Sequence, residues 1–270
     1  MSLSTALNIA RTAGYARRGI GLRNKYLLFL VAGFGGLGLH RTRLRLAIQR
    51  HISSFGDRGF VDVRVRLREH PLVFSLRRSN EADYLIGSEF VKDIYEPPNF
   101  EPDEIVDGGA NIGLFAVVAS SMFPNARLTC YEPDTANYHQ LRRNLTLNNV
   151  SADCHRKGLW SKDTMLYYHG RASHTGFISE RPSNIPISCV RPKIGRNCWL
   201  KLDVEMAEYE ILPALLNAGD YPRWISMEIH HYDTRGEALG ALLALHGYSM
   251  KGGESRTAKH ANVSAWRNNA

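Results

Sequence analysis

The chain combines 270 residues, 44% of them hydrophobic and 22% charged, with a formal net charge of +8. This balance excludes a chain that is disordered throughout, and the length is enough for one sizeable domain with an appended region, since single domains typically contain roughly 100 to 200 residues. The four cysteines include no C-x-x-C pair, so they exclude a structural zinc site and favour a reducing, cytoplasmic location.

The positive charge is concentrated in the N-terminal third. Its arginines include Arg41, Arg43, Arg45, Arg50, Arg64, Arg66 and Arg68. Such a concentration suits nucleic acid, an anionic membrane surface or a negatively charged glycan, and equally an ordinary solvated surface. The apolar run from Lys25 to Leu39 is shorter than the roughly 20 residues of a membrane-spanning helix. It therefore predicts a buried helix, or one in peripheral contact with a membrane surface.

The next elements show weaker patterns. Residues 40–55 indicate a basic helix, and the period-two alternation of residues 61–67 and 72–76 predicts the two strands of a hairpin. No functional motif is recognisable in this part of the chain.

A break follows at Pro97 and Pro98, which interrupt any helix or strand. We therefore predict an N-terminal cap region over residues 1–95 and a second domain over residues 96–270. In the second domain, short apolar strands alternate with helical segments, which predicts an α/β fold with a parallel sheet. These strands are predicted at residues 104–108, 126–132, 152–158, 199–204 and 224–230.

The helices and the last two strands complete this pattern. Helices are predicted at residues 112–122, 135–148, 208–219 and 237–247. Strands at 248–252 and 261–266 are joined by a loop too short for a crossover helix, so they must be antiparallel to each other. The result is a seven-stranded, mostly parallel sheet with one reversed strand, the arrangement of Rossmann-like class I methyltransferases.

The turn after the first strand of this sheet reads D-G-G-A-N-I-G from Asp107 to Gly113. In open α/β sheets this turn is the usual cradle for a nucleotide, and Gly108 and Gly109 let the backbone approach a ligand closely. The spacing lacks G-x-G-x-x-G, and an aspartate suits a positively charged amino acid group better than a pyrophosphate. The turn therefore favours S-adenosylmethionine over a dinucleotide.

Glu132 follows the second strand, where an acidic residue holds a ribose diol by accepting one hydroxyl on each carboxylate oxygen. The alternative is a position beside the start of the next helix, although Asp134 or Thr135 also suits that capping role. With the preceding turn, Glu132 predicts a nucleoside site.

Three blocks, VDGGANIGLFA, YEPDTANYHQLRRNLTLNN and LKLDVEMAEYEIL, occur in this order. Together they resemble the FkbM family of S-adenosylmethionine-dependent methyltransferases over residues 80–266. The resemblance implies a Rossmann-like fold, S-adenosylmethionine as methyl donor, and commonly O-methylation of sugars or polyketide-type products. The positions that it implies for the cofactor are Asp107, Gly109, Asn111, Gly113 and Glu132.

Three positions extend or modify the resemblance. Asp83 and Tyr84 match a short acidic motif of the family. Met206 replaces the glycine of the family's D-V-E-G-A-E block, so its side chain narrows the approach to this turn. Trp160 replaces part of an Ala-Leu-Ser-Asp type of sequence, and we predict that its ring packs on the adenine.

Methyl transfer from a sulfonium is an in-line displacement, so the protein positions donor and acceptor and removes the proton of a hydroxyl acceptor. The candidate catalytic residues follow the fourth and fifth strands: Asp203, Glu205, Glu228 and His230. We expect Asp203, which also belongs to the cofactor site, to lie nearest the methyl group, and His230 or Glu228 to act as base. Lys201 with Glu205 forms either part of this site or a structural ion pair.

No metal site is predicted, because the carboxylates of Asp203, Glu205 and Glu228 have no further evident ligand. The sequence thus predicts an O-methyltransferase for a sugar hydroxyl of a glycan, glycolipid or glycosylated metabolite. A nucleic-acid methyltransferase is the first alternative, although no N-P-P-Y-type motif follows the fourth strand. The second is a non-catalytic S-adenosylmethionine-binding scaffold, to which only Met206 points.

Overall fold

The computed structural model describes residues 12–35, 42–91, 95–170, 176–253 and 259–267. These residues form two compact units. The second unit begins at Tyr95 and excludes residues 143–150, which belong to the first.

The first unit combines three helices with a hairpin. Its elements are α1 (Leu22–Gly35), α2 (Thr42–Ser54), β1 (Phe60–Leu67), β2 (His70–Arg77) and α3 (Glu81–Val91). In β1, Val63 and Val65 are buried while Arg64 and Arg66 are exposed, because successive side chains of a strand point to opposite faces. The predicted hairpin and basic helix are therefore present, whereas α3 was not predicted.

The apolar run that begins at Lys25 forms most of α1, with Leu27, Leu28 and Val31 buried. The end of this run and Arg41 lie outside the described residues. None of the helices in the described ranges has the length and apolar character needed to cross a membrane. Peripheral membrane contact stays a prediction.

The second unit is built on parallel strands and crossover helices. Its strands are β3 (Glu104–Gly108), β4 (Arg127–Tyr131), β5 (Asp153–His155), β6 (Gly158–Leu159), β7 (Thr164–His169), β8 (Phe177–Ser179), β9 (Pro186–Val190), β10 (Cys198–Leu202), β11 (Trp224–His230), β12 (Ser249–Gly252) and β13 (His260–Trp266). The helices are α4 (Leu114–Met122), α5 (Thr135–Leu147), α6 (Glu208–Asn217) and α7 (Tyr232–Leu245), the end of α5 belonging to the first unit.

Seven of these strands form one sheet in the order β12-β13-β11-β10-β3-β4-β5. Only β13 runs against its neighbours, β11 and β12, and the other pairs are parallel. The predicted fold class, a Rossmann-like α/β fold with a seven-stranded, mostly parallel sheet and one reversed strand, is confirmed. Every residue of β3 and β10 is buried, as expected for central parallel strands covered on both faces.

A second sheet of the same unit, in the order β6-β9-β7-β8, was not predicted. It has a small apolar core that includes Leu166, Tyr168 and Ile178. The single strand predicted at 152–158 is divided between the two sheets, since β5 ends at His155 and β6 begins at Gly158. A Cβ at Gly158 would lie 2.1 Å from Cδ1 of Ile178, so the glycine is needed for this packing.

Asp83 tests the stability of the first unit. Its fully buried carboxylate accepts the backbone N–H of Arg77 at 2.7 Å and pairs with the Arg77 guanidinium at 2.6 Å. We expect Asp83→Ala to lower the free energy of unfolding by about 3 kcal/mol, because Arg77 then remains largely buried without its partner. Urea denaturation would measure the loss. The control is Asp57→Ala, whose carboxylate is 91% exposed and whose loss should change little; equal effects of the two substitutions would contradict the expectation.

Candidate active site

The residues predicted for the site lie at one edge of the seven-stranded sheet. The parallel strands β3, β4, β10 and β11 have their carboxyl ends there, because parallel neighbours end on the same side. Asp107 ends β3, Glu132 follows β4 and Asp203 follows β10, while Glu228 and His230 belong to β11. The topology thus brings together segments that are far apart in the sequence.

The turn after β3 is shaped by glycines. Gly109 and Gly113 have φ of 71° and 83°, a region that suits glycine. A Cβ on Gly109 would lie 1.8 Å from the carbonyl oxygen of Asp203, and one on Gly113 would lie 2.6 Å from Cδ1 of Leu141. At Gly108 the added atom would meet Leu159 at 2.7 Å. The close approach of this turn to the backbone after β10 therefore requires Gly109, whereas Gly113 and Gly108 are needed for its packing against Leu141 and Leu159.

Lys201 connects the turn to β10. Its Nζ lies 3.2 Å from Oδ1 of Asp107 and donates to the carbonyl oxygens of Gly108 and Gly109 at 3.2 and 2.7 Å. Burial opposes the charge of Lys201, but Asp107 and Asp203 outweigh it and raise its pKa. The structural ion pair that we considered between Lys201 and Glu205 is thus not the one observed. Lys201 pairs with Asp107 instead.

Asp107 is fully buried, and burial raises the pKa of its carboxyl although Lys201 opposes this shift. Apart from the ammonium of Lys201, no donor among the described residues reaches its carboxylate, and Oδ2 keeps its acceptor capacity. Oδ1 of Asn111 in the same turn is also buried without such a partner. Buried oxygens without donors fit a ligand that supplies N–H or O–H groups, as the amino acid part of S-adenosylmethionine does.

Glu132 is 5% exposed and accepts the backbone N–H groups of Asn111 and Asp134, at 2.7 and 2.9 Å, one on each carboxylate oxygen. Burial raises its pKa to about 7 in spite of these bonds. Each oxygen keeps acceptor capacity for a ribose hydroxyl. The start of α5 is capped by Asp134, which accepts the N–H of Asn137 at 2.8 Å. The capping role that was the alternative for Glu132 therefore belongs to Asp134.

Asp203 lies between two groups. The hydroxyl of Tyr95 donates to Oδ2 of Asp203 at 3.1 Å, and Nζ of Lys201 lies 4.0 Å from the same oxygen. Tyr95 is buried, packs edge-on against Phe115, and has a raised pKa because of desolvation and the charge of Asp203. Sequence reasoning missed Tyr95, since it belongs to no motif.

His230 is held between two carboxylates. Its Nδ1 lies 3.1 Å from Glu208 and its Nε2 lies 3.2 Å from Glu205. Burial would lower its pKa, but the hydrogen bonds and charges of Glu205 and Glu208 outweigh burial and raise it to about 11. The predicted role of His230 as base is not supported in this arrangement, because a protonated imidazole has no lone pair to accept a proton.

The turn after β10 explains why Glu205 faces His230. Glu205 and Met206 have φ of 49° and 83°, so the extended backbone and its side-chain alternation do not continue through this turn. The φ of 83° at Met206 also explains why the FkbM block has a glycine at this position, since residues with a Cβ rarely adopt such a φ. Met206 therefore introduces backbone strain here in addition to a side chain.

Glu228 has a partner that the sequence did not suggest. Its Oε1 lies 3.3 Å from Nδ1 of His260, and the ring of His260 packs edge-on against that of His230. Ligand atoms of these three residues lie within 4.8 Å of one another, a separation compatible with one metal ion. The Glu228 carboxylate is a metal ligand candidate from the sequence as well, whereas the histidine that β13 contributes is recognised only in the structure.

Trp160 follows β6 and is partly buried. Its indole packs against the cores of both sheets of the second unit, and its backbone N–H donates to the carbonyl of Val190 at 3.0 Å. These contacts fix the position of the ring. A contact with adenine stays a prediction.

No model of a protein family matches the chain. It is 26% identical to a protein named Methyltransferase 1 from Beauveria bassiana, over 50% of this chain and 68% of that protein. It is 37% identical to Methyltransferase sdnD from Sordaria araneosa over 26% of this chain, and spans only 27% of that relative.

Solved structures with a similar fold are distant in sequence. Methyltransferase FkbM from Methylobacillus flagellatus is 13% identical with a TM-score of 0.45, covering 96% of this chain and 58% of that one. Precorrin-6y C5,15-methyltransferase from Geobacter metallireducens is 17% identical with a TM-score of 0.37, covering 63% of this chain and 82% of that one.

Met206 provides a test of the turn after β10. We expect Met206→Gly to raise the free energy of unfolding by about 1 kcal/mol, because glycine adopts a φ of 83° without the strain of a Cβ. Thermal or urea denaturation would measure the gain. Met206→Ala is the matched control, since it shortens the side chain but keeps the Cβ, and it should give no gain. A stabilisation by alanine as large as that by glycine would contradict the strain.

Proposed function

We propose that this chain, an S-adenosylmethionine-dependent methyltransferase of the FkbM type, methylates a hydroxyl group of a sugar in a glycan, glycolipid or glycosylated metabolite. The observation that supports this acceptor most directly is a group of partly exposed carboxylates at the edge of the sheet. The side chains of Asp203, Glu205 and Glu228 are 32%, 29% and 29% exposed. Carboxylates of this kind accept hydrogen bonds from the several hydroxyls of a sugar.

The donor site is proposed from the buried residues of the same edge. S-adenosylmethionine, when bound, supplies an electrophilic methyl group on its sulfonium. Oδ2 of Asp107, which no donor among the described residues reaches, suits its ammonium group, and the two oxygens of Glu132 suit the two ribose hydroxyls. Gly109 lets the turn lie against the backbone after β10, since a Cβ there would lie 1.8 Å from the carbonyl oxygen of Asp203.

Asp203 is the residue that we assign to the acceptor. Tyr95 and Lys201 hold its carboxylate in position, through a 3.1 Å hydrogen bond and a 4.0 Å ion pair. The remaining lone pairs of the carboxylate can then accept a hydrogen bond from the hydroxyl group that is to be methylated. During methyl transfer, the carboxylate of Asp203 or Glu228 would take up the proton of the acceptor hydroxyl.

The same carboxylates weigh against the nucleic-acid alternative. Phosphodiesters are anionic, and partly exposed acidic groups beside the site repel them. Arg64 and Arg66 are exposed on β1, which belongs to the first unit. A small-molecule or glycan acceptor remains the better fit. The alternative of a non-catalytic S-adenosylmethionine-binding scaffold is tested by measuring turnover, because a scaffold would transfer no methyl group.

Asp203→Asn tests the assignment. We expect turnover to fall at least about 100-fold, because the amide cannot accept the proton, while S-adenosylmethionine affinity stays within about twofold. Formation of S-adenosylhomocysteine with candidate glycans measures turnover, and calorimetry measures affinity. Asp233→Asn, at an exposed position of α7, is the control and should leave both unchanged. An unaltered rate in Asp203→Asn would refute the catalytic role.

Glu132 gives a pH-dependent prediction. Burial raises its pKa to about 7 in the free protein, and ribose hydroxyls that donate to the ionised carboxylate would lower that pKa in the complex. We therefore expect the protein to bind S-adenosylmethionine with full affinity above pH 7. As the pH falls below this value, the affinity should decrease by up to about tenfold for each pH unit.

Calorimetry over this pH range measures the dependence. We expect Glu132→Ala to abolish binding, and Glu132→Gln to bind weakly without this dependence. Glu210→Gln, at an exposed position of α6, should keep the wild-type profile. A Glu132→Gln variant with the wild-type profile would show that another group titrates.

A further inference from the structure

We propose that Glu228, His230 and His260 form a binding site for one divalent transition-metal ion. Ligand atoms of the three side chains lie within 4.8 Å of one another. The strands bring them together, because His230 of β11 lies directly opposite His260 of β13 and Glu228 lies on the same face of β11 as His230.

The distances are compatible with a shared ion. Oε1 of Glu228 lies 3.3 Å from Nδ1 of His260, and the two imidazole rings are 4.9 Å apart between centroids. Two ligands that each lie about 2.1 Å from one ion are separated by roughly 3 to 4 Å. Small side-chain rotations therefore bring all three groups to coordination distance.

Glu208 orients one of the imidazoles. Its carboxylate is fully buried and accepts the backbone N–H of His230 at 2.8 Å, with Nδ1 of the same residue at 3.1 Å. A carboxylate that fixes one ring nitrogen while the other binds the ion is the usual arrangement around metal-binding histidines. An ion that binds Nε2 of His230 displaces the proton that this nitrogen shares with Glu205, 3.2 Å away, and Glu205 then supplies a fourth ligand.

The ligand set indicates the class of ion. Two imidazoles with carboxylates suit Zn²⁺, Mn²⁺ or Fe²⁺ better than Ca²⁺ or Mg²⁺, which prefer oxygen ligands throughout. The negative charges of Glu205, Glu208 and Glu228 also favour a dication. The His260 side chain is 55% exposed, so the ion is accessible from solvent. If the proposed acceptor is correct, this position lets a sugar hydroxyl bind the ion and lose its proton more readily.

Co²⁺ titration of the chelator-treated full chain tests the site, since Co²⁺ bound by nitrogen and oxygen ligands gives visible absorption bands. Mn²⁺ binding followed by electron paramagnetic resonance provides a second measurement. We expect one ion per chain, with affinity at least about tenfold lower in His260→Ala and in Glu228→Gln, and about 10 to 100-fold lower in Glu208→Gln. His139→Ala removes an exposed histidine elsewhere and should bind as wild type.

Two results would overturn the site: no binding of Co²⁺ or Mn²⁺ by the wild-type chain, or wild-type affinity in both His260→Ala and Glu228→Gln. Circular dichroism and S-adenosylmethionine calorimetry establish that each variant is folded. If Glu208→Gln fails to fold, the two variants with partly exposed side chains decide the question. Neither measurement requires an acceptor, so metal binding without sugar methylation contradicts only the proposed function, and sugar methylation without metal binding contradicts only this site.

Discussion

The buried contact between Lys201 and Asp107 joins the central strands β3 and β10 at the edge where the site lies. A buried ammonium requires such partners, since desolvation costs several kcal/mol per ion, and Lys201 also donates to the carbonyl groups of Gly108 and Gly109. The turn after β3 is thereby fixed to β10. A sliding of one strand past the other would leave a charge unpaired. The close approach of Gly109 to the carbonyl of Asp203 depends on this registration.

The carboxylates of this edge fall into two groups by burial. Asp107 and Glu132 are almost inaccessible, and their remaining acceptor capacity suits a ligand that brings its own donors. Asp203 and Glu228 are partly exposed to solvent, so a hydroxyl can reach them at modest desolvation cost. Burial thus separates a proposed donor site from a proposed acceptor site, although every group is chemically a carboxylate.

The sequence predicted some elements at their observed limits and missed others. The strands at 104–108 and 224–230 were predicted residue for residue, because buried parallel strands give short apolar runs with clear ends. The sheet of β6 to β9 was missed, since its strands are short and expose Met165 and Phe177. Tyr95 was missed as well. It reaches Asp203 only because the fold brings together segments 108 residues apart.

The sequence by itself determined the alternation of strands and helices, the reversed last strand, the glycines of the turn after β3 and the acidic residue after β4. These features follow from local periodicity and from the chemistry of single residues. Only the tertiary structure decided the partners: Lys201 with Asp107, His230 with Glu205 and Glu208, and Glu228 with His260. Side-chain alternation predicts a direction only along extended backbone, and the positive φ of Glu205 ends it. Partners across strands depend on the register between distant segments, which no local pattern contains.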